Sequence, residues 1–376
     1  MVSLIYSFCR YVNNSDVNNV RLGRNMRRKD TVLDRKDIEI VDAIDRLDQV
    51  SARQLSRSLG LPSRTIRYRL AKLRQRGFLQ PQHALIHERK LGLRESIFVM
   101  QEEYGKSTSL LERIDATPLF YWCSPTYGKY DGYLVHAVVS LAASRTDSEI
   151  VRRLQSDHLI SDYYCFEVVD YERKSRNLAY FDPEKGWVWD WIKWERDIKK
   201  YVCGPGVILN LEENPKLVNF DSKDIVIIKQ IQFDSNTTLK QLANISALSE
   251  AQVSKRIRRL QKVGVIKGYK SIFNPTPDED LLSFYCFLEL RETPEHILSC
   301  FYMLPFTLDV LIESRTRFCL RFGMPAGEFN NFLKGFGTLK PHLASYFFQI
   351  VERGRSKAQQ IYDMYNPTTN RWELPT

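Results

Sequence analysis

The chain has 376 residues, a length that predicts two to four domains rather than one. Hydrophobic residues make up 43% and charged residues 27%, an ordinary globular composition with apolar material for several cores. Fifty-five Lys+Arg against 45 Asp+Glu leave a formal net charge of +10, which points to a polyanionic partner. No apolar run reaches the ~18–20 residues that a membrane-spanning helix needs. The seven cysteines (Cys9, Cys123, Cys165, Cys203, Cys286, Cys300 and Cys319) are odd in number, and no two lie closer than 14 positions. That spacing argues against a zinc knuckle or a disulfide scaffold and predicts reduced thiols in a cytoplasmic protein.

Residues 1–33 carry six basic and two acidic side chains without periodicity and are predicted to be a disordered basic arm. The arm's opening is a poor secretory signal, and Met26 is an alternative start for translation. Residues 34–93 follow with three helical patterns. Asp34 caps the first, whose face is Ile38, Val41, Ile44 and Leu47, and Ser51 caps a second that ends at Gly60. The third, about 63–76, buries Ile66, Leu70 and Leu73. Gly77 ends it, and the stretch to Leu93 is expected to fold into a short hairpin, completing a winged helix-turn-helix. Residues 95–173 alternate short strands and helices in the order β-α-β-β-α-β, a ferredoxin-like sandwich. One face of its sheet is left apolar and wants a partner.

Residues 174–220 are expected to be a Trp-rich helical linker, with Trp187, Trp191, Trp194 and Ile198 on one packing stripe. From residue 221 the chain repeats itself. Residues 34–79 lie over 221–266 at a constant offset of 187 without a gap, and twelve of 46 positions are identical. Residues 221–275 thus form a second winged helix-turn-helix, with Ser249 and Gln252 as a capping box. Residues 280–353 form a second ferredoxin-like domain, and residues 354–376 a tail. The fold class is α+β, a winged helix-turn-helix plus a ferredoxin-like sandwich in tandem.

The third helices carry the argument for DNA. Residues 63–76 hold Arg64, Arg67, Arg69, Lys72, Arg74 and Arg76 without an acid, and 250–263 hold five cations against Glu250. The stretches 34–90 and 221–274 each sum to +6, so the excess positive charge is concentrated in these two modules and the arm. A basic face opposite an apolar stripe suits the major groove of double-stranded DNA. Helical angles select Arg64, Thr65, Arg67 and Tyr68 as base readers of the first module, with Lys72 on phosphate. Gln252, Ser254, Lys255 and Arg259 are the DNA-binding candidates of the second. Arg69 and Arg256 sit near the buried edge and read as a structural ion pair or a packed stem rather than as base contacts. Because the two reading faces differ, the target is expected to be an imperfect palindrome.

These residues resemble a known family, the leucine-responsive/asparagine-synthesis (Lrp/AsnC) transcription factors. The resemblance rests on LDRKDIEIVDAI, on LAKLRQRGFL followed by RKLGL, and on RRLQKVGVIKGYKSIFNP (258–275). It implies sequence-specific DNA binding, dimerisation through the sheets and a small-molecule effector such as an amino acid. The family's ligand turn is similar to Gly128-Lys129-Tyr130-Asp131, so Gly128, Tyr130, Asp131 and Tyr133 are the effector-binding candidates. The second half has Ser314-Arg315-Thr316-Arg317 there, and Ala247 replaces Gly60 in its helix-turn-helix.

Six histidines form no metal pair, and no P-loop or Gly-x-Ser-x-Gly motif is present, so the sequence predicts no enzyme, no cofactor and no metal site. The alternatives are an Lrp-like sirohaem decarboxylase, against which the missing His/Tyr-rich segment argues, and an architectural, chromatin-like DNA binder. His136 reads as an ordinary strand histidine. Covalent linkage through about 50 residues (171–220) sets one sandwich at roughly millimolar concentration around the other. The duplication therefore predicts an intramolecular pseudo-dimer, with sheet 96–171 facing sheet 282–352 and further homo-oligomers assembling through sheet edges.

Overall fold

The computed structural model describes residues 33–46, 51–142, 146–200, 212, 214–275, 280–291 and 294–373. The basic arm up to residue 32, the Met26 start and residues 201–211 of the joining segment lie outside the described residues.

Each half opens with three helices. In the first they are α1 (Arg35–Arg46), α2 (Ala52–Leu59) and α3 (Ser63–Gln75). Ser51 starts α2 with a reciprocal cap. Its hydroxyl accepts from the Gln54 amide at 3.2 Å, and Gln54 Oε1 accepts from the Ser51 amide at 2.9 Å. Ile40, Ala43, Leu55 and Ile66 close the small core between the helices. A short strand, β1 (His83–Ile86), leads to the first sandwich. That sandwich is β2 (Leu93–Glu102), α4 (Ser107–Ala116), β3 (Phe120–Gly128), β4 (Gly132–Ser140), α5 (Thr146–Ser156) and β5 (Ile160–Val168), continued as β6 (Asp170–Lys174). A two-strand hairpin, β7 (Phe181–Asp182) and β8 (Gly186–Trp187), folds back on the first three helices before α6 (Trp191–Lys199).

The second half repeats the order. Its helices are α7 (Ser222–Phe233), α8 (Leu239–Ser246) and α9 (Glu250–Lys262), followed by β9 (Ile266–Lys270). Its sandwich is β10 (Leu281–Leu290), α10 (Pro294–Tyr302), β11 (Leu308–Ile312), β12 (Arg317–Pro325), α11 (Phe329–Gly337) and β13 (Leu343–Val351). The tail adds β14 (Arg355–Ser356), α12 (Gln359–Asp363) and a second hairpin, β15 (Tyr365–Asn366) and β16 (Arg371–Trp372). That hairpin packs on α7, as β7–β8 packs on α1, so the duplication runs through the tails.

Strand periodicity explains how the halves join. On β2 and β4, Phe98, Met100, Val135 and Ala137 face α4 and α5. The alternate residues Ile97, Val99 and Leu134 face the other sheet, where they meet Tyr285, Phe287, Leu311, Cys319 and Val351 in one buried cluster. The partner that the open sheet face wants is the other half of the same chain. The sheets are also joined at their edges. Backbone pairing runs β5-β2-β4-β3-β13-β10-β12-β11-β6, with β14 also on β3. Each edge joint thus unites strands from different halves, β3 with β13 and β11 with β6.

Three expectations need correction. The wing is not a hairpin within each module: β1 pairs antiparallel with β9 of the other half, and His83 lies opposite Lys270. At the repeat offset His83 and Lys270 are equivalent positions, so a pseudo-two-fold axis passes between them. The irregular Ile86–Ile266 and Leu79–Phe273 pairings are its symmetry mates. A lone short wing exposes its hydrogen-bonding edge, and pairing with its own repeat removes that edge. The Trp-rich segment is also less helical than expected. Trp187 belongs to the hairpin, and among the described residues of the segment the α-helix is confined to Trp191–Lys199. Trp194 is buried against the second sandwich, where its indole Nε1 donates to the Cys300 carbonyl at 2.8 Å. Its ring lies so close to Gly335 of α11 that a Cβ there would sit 2.1 Å from it. Cys123, Cys165, Cys286 and Cys319 are free thiols, whereas Cys300 is disulfide-bonded, a departure from the all-reduced expectation.

Candidate functional site

Helices α3 and α9 present the cationic surfaces. On α3, Ile66 and Leu73 are buried, while Arg64, Arg67, Tyr68 and Lys72 are exposed, Tyr68 to 66%. Thr65 is half-buried. Arg69 turns inward, donating to Asp34 at 2.6 Å and to Asp37 at 2.7 Å, which ties α3 to the start of α1. On α9, Lys255 is exposed and Ser254 half-buried. Gln252 caps its own helix, its Oε1 accepting from the Ser249 amide at 2.9 Å. Arg256 donates to Asp221 and Asp224 at 2.8 and 2.9 Å, and Arg259 also reaches Asp224. Of the second-half candidates, Gln252 therefore makes the capping box that its spacing predicts, and Arg259 has a structural partner that spacing alone does not reveal.

The candidate effector turn is built into the joint between the sheets. The Tyr130 amide donates to Gln349 Oε1 at 3.0 Å, and Gln349 Nε2 donates to the Tyr130 carbonyl at 2.8 Å. Gln349, on β13, is fully buried. Gly128 has φ 146°, and a Cβ there would sit 2.3 Å from the Phe348 carbonyl oxygen. Asp131 closes the turn on the Gly128 amide at 3.3 Å, and the Tyr133 hydroxyl faces Ser107 at 3.4 Å. Gly128 and Tyr130 thus engage the other half of the chain.

A second feature, which sequence reasoning missed, lies beneath the paired wings. A cavity of about 280 Å³ is lined by both wings and both sandwiches. Its floor is a polar chain crossing between the halves. Tyr121 donates to Glu95, and Glu95 faces His136 Nδ1 at 2.7 Å. His136 Nε2 lies 3.1 Å from the Tyr285 hydroxyl of the second half. Beyond it, Asp309 accepts from Arg173 at 2.6 Å and from Arg321 at 2.9 Å. Burial would raise the Asp309 carboxyl, but the two guanidiniums hold it well below the usual carboxylate range. Burial would likewise raise Glu95, and His136 and Tyr121 hold it down. Glu88 stands apart: burial and the neighbouring Glu95 charge push its carboxyl up to about 8. The signal available in the sequence was the placement of Asp309 and Arg321 inside otherwise apolar strands, where a charge is costly unless paired.

Arg176, wholly buried, clamps the modules together. It donates to Asp45 of α1 at 2.7 and 3.1 Å, to the Phe273 carbonyl at 2.8 Å and to the Ser271 hydroxyl at 3.1 Å. Among the described residues no group of acidic, His or Cys side chains could hold a metal ion, and no helix is long and apolar enough to cross a membrane.

These modules match known proteins. A family model described as winged helix-turn-helix DNA-binding fits residues 33–80 and again 220–267. Both modules are winged helix-turn-helix units of the DNA-binding class. In sequence, the HTH-type transcriptional regulator LrpA of Mycobacterium tuberculosis is 35% identical over 65 residues, 17% of this chain and 43% of that protein. The leucine-responsive regulatory protein of Rhizobium meliloti is 31% identical over 85 residues, 22% of this chain and 54% of that one. The chain carries two winged helix-turn-helix modules in tandem that are similar to those of Lrp-type regulators, and it spans about half the length of the curated relatives it matches. The crystal structure of the siroheme decarboxylase NirDL is similar over 87% of this chain and 97% of that one, with a TM-score of 0.56 and 11% identity. That likeness concerns the fold alone.

Proposed function

We propose that the protein is a sequence-specific DNA-binding transcriptional regulator whose two winged helices, within one chain, read an imperfect palindrome. The observation that carries the reading is the exposed row Arg64, Arg67, Tyr68 and Lys72 on α3, opposite its buried stripe. Guanidinium groups at the start of such a helix suit guanine edges, and Lys72 suits phosphate. Lys255 and Ser254 offer a weaker second half-site. Two sequence-related modules with different reading faces fit two related, unequal half-sites. The internal face-to-face packing of the sandwiches gives the pseudo-dimer that the family resemblance implies without a second chain. We place a small-molecule effector in the cavity beneath the wings rather than at residues 128–131, where Gln349 and the Phe348 carbonyl leave no room beside Gly128.

The test is selection of bound sequences from a random duplex pool, followed by affinity against salt. The expected result is one asymmetric site bound at least ~1,000-fold tighter than random DNA. Equal affinity for all sequences would favour the architectural alternative. A decarboxylase reading draws only on the fold likeness to NirDL, and a cavity near 280 Å³ suits a small ligand better than a macrocycle. A tetrapyrrole absorption shift on adding siroheme would reverse that judgement.

A further inference from the structure

The cavity brings one carboxyl, that of Glu88, to a place where no described side chain donates a hydrogen bond to it. Glu88 follows β1 in a single 3-10 turn (Glu88–Leu91) that hands the chain from wing to sandwich, and its side chain lines the cavity. Among the described residues no neighbouring side chain donates a hydrogen bond to its carboxyl. The other acids of the cavity have partners: Glu95 has His136 and Tyr121, and Asp309 has Arg173 and Arg321. Lys267, whose charge reaches Glu88, makes its own contact with Asp170. The walls around this carboxyl are aromatic, with Trp122, Tyr171, Phe273 and Phe306 among them. A buried carboxyl is costly when ionised; Arg173 and Arg321 are taken by Asp309 and Arg176 by Asp45, and Lys267 and Lys270 act on Glu88 only through charge, so its carboxyl is open to a cation that contacts it directly. An aromatic enclosure beside a carboxylate is the setting in which an ammonium group gains both a charge partner and ring faces.

We propose that this cavity binds a small organic cation, an arylalkylamine, with its ammonium on Glu88 and its apolar body against Trp122, Phe273 and Phe306. The same wall includes Ala84–Ile86 of one wing and Lys270–Phe273 of the other, so the ligand touches both strands of the ribbon that sets the two DNA-reading modules relative to each other. Binding at this ribbon then couples to DNA affinity, and that second step rests on the regulator reading above; occupancy itself does not. The coupling is reciprocal, since a ligand that favours one wing arrangement is itself bound better when DNA holds that arrangement.

The charge balance gives a signature. Glu88 faces Glu95 from β2, Tyr121 from β3, Tyr171 from β6, and Lys267 and Lys270 from β9. Near pH 7 its carboxyl holds a proton, consistent with its raised value of about 8. An arriving ammonium favours the carboxylate, and that proton leaves to buffer.

The experiment uses the full chain and two probes with the same body, tyramine and 3-(4-hydroxyphenyl)propionate, in calorimetric titrations at pH 7 in two buffers of different ionisation enthalpy. The expected result is tyramine binding about tenfold or more tighter than the acid, with release of close to one proton per ligand, and a loss of about tenfold or more in E88Q. Circular dichroism and urea melts of E88Q check that the variant is folded, and S109A, on the exposed face of α4 and outside the cavity, serves as an unaffected control. Tighter binding of the carboxylate probe, no binding of tyramine at millimolar concentration, or unchanged affinity in a folded E88Q overturns the proposal. DNA affinity measured with and without tyramine separates the two claims. Tyramine binding without an effect on DNA overturns only the coupling, whereas absence of DNA binding both with and without tyramine leaves the site standing and removes the regulator reading.

Discussion

In the first half of the chain Asp37 receives one arginine, Arg69; in the second half the equivalent Asp224 receives two, Arg256 and Arg259. Position 72, the counterpart of 259, is a lysine that stays exposed. The second recognition helix thus uses part of its cationic surface to hold itself onto α7, while the first keeps Arg64, Arg67 and Lys72 at the surface. The halves differ again where they meet. Asp45 of α1 forms a buried ion pair with Arg176, whereas its counterpart, Gln232 of α7, only accepts through its carbonyl from His83 Nδ1 at 2.9 Å. Duplication preserved the frame and let its two copies divide the labour. The first copy carries the freer cationic surface and the ionic clamp, and the second carries a self-tied helix and a neutral contact.

Breaking the clamp tests that asymmetry hardest. Arg176→Ala leaves Asp45 buried without its guanidinium and removes the donors to Ser271 and Phe273, so a loss of about 3–5 kcal/mol is expected in urea melts. Arg176→Met combined with Asp45→Leu, which removes both charges, should recover a large part of it. If the double variant were as unstable as the single one, the contact would matter for shape and not for charge.

DNA affinity comes next in size. Arg64→Ala and Arg67→Ala should each cost about 1–3 kcal/mol on the selected site, with relaxed specificity at one base. Lys255→Ala should cost less and act on all sequences, lowering the salt slope by about one. Arg259→Ala should reduce stability more than DNA affinity, because its partner Asp224 is wholly buried. Equal losses of affinity from both helices would mean that the two copies read alike.

Much of this frame was legible because it is local or periodic. The Ser51 and Ser249 caps, the Ile66–Leu73 stripe, the strand alternation and the constant offset between copies are all visible within short windows. The inward turn of Arg69 and Arg256 followed from helical angle alone. The paired wings were not legible, because β1 is completed by β9 nearly 190 residues away, and a short strand does not name its partner. The cavity was hidden for the same reason: Glu88 and Glu95 come from one half, and Arg321 and Asp309 from the other. Arg176 gave no local signal, sitting between a strand and a tail hairpin whose packing depends on the completed pseudo-dimer.

Acid sensitivity should belong to the first copy as well. Burial, with help from Lys270, lowers His83 to about 4, and burial also lowers His87 to about 4. Both are neutral when folded, while the unfolded chain takes up protons near 6.5, so the unfolded state binds more protons between those values. Stability is full above pH 6.5 and falls as pH drops toward 4, by about 2–3 kcal/mol for His83 alone. The counterparts in the second copy are Lys270 and Asn274, neither of them a histidine. His83→Gln with His87→Asn should flatten this limb of a stability–pH curve. An unchanged limb would place acid sensitivity elsewhere.

The smallest expected effect concerns the turn within each helix-turn-helix. Gly60 has φ 65°, and the equivalent Ala247 takes the same left-handed conformation with φ 52° and ψ 51°. An alanine in that region carries about 1–2 kcal/mol of strain, while glycine loses about 0.5–1 kcal/mol more chain entropy on folding. The two terms nearly cancel, so Ala247→Gly should stabilise the protein by less than about 1 kcal/mol, a shift of a degree or two in Tm. Gly60→Ala reverses both terms and should destabilise by a similar amount. An added Cβ at Gly60 meets no atom within 4 Å, so the backbone alone accounts for the change. Destabilisation by Ala247→Gly would show that the Ala247 methyl contributes packing that outweighs its strain, and that the second turn has diverged in its contacts as well as in its residue.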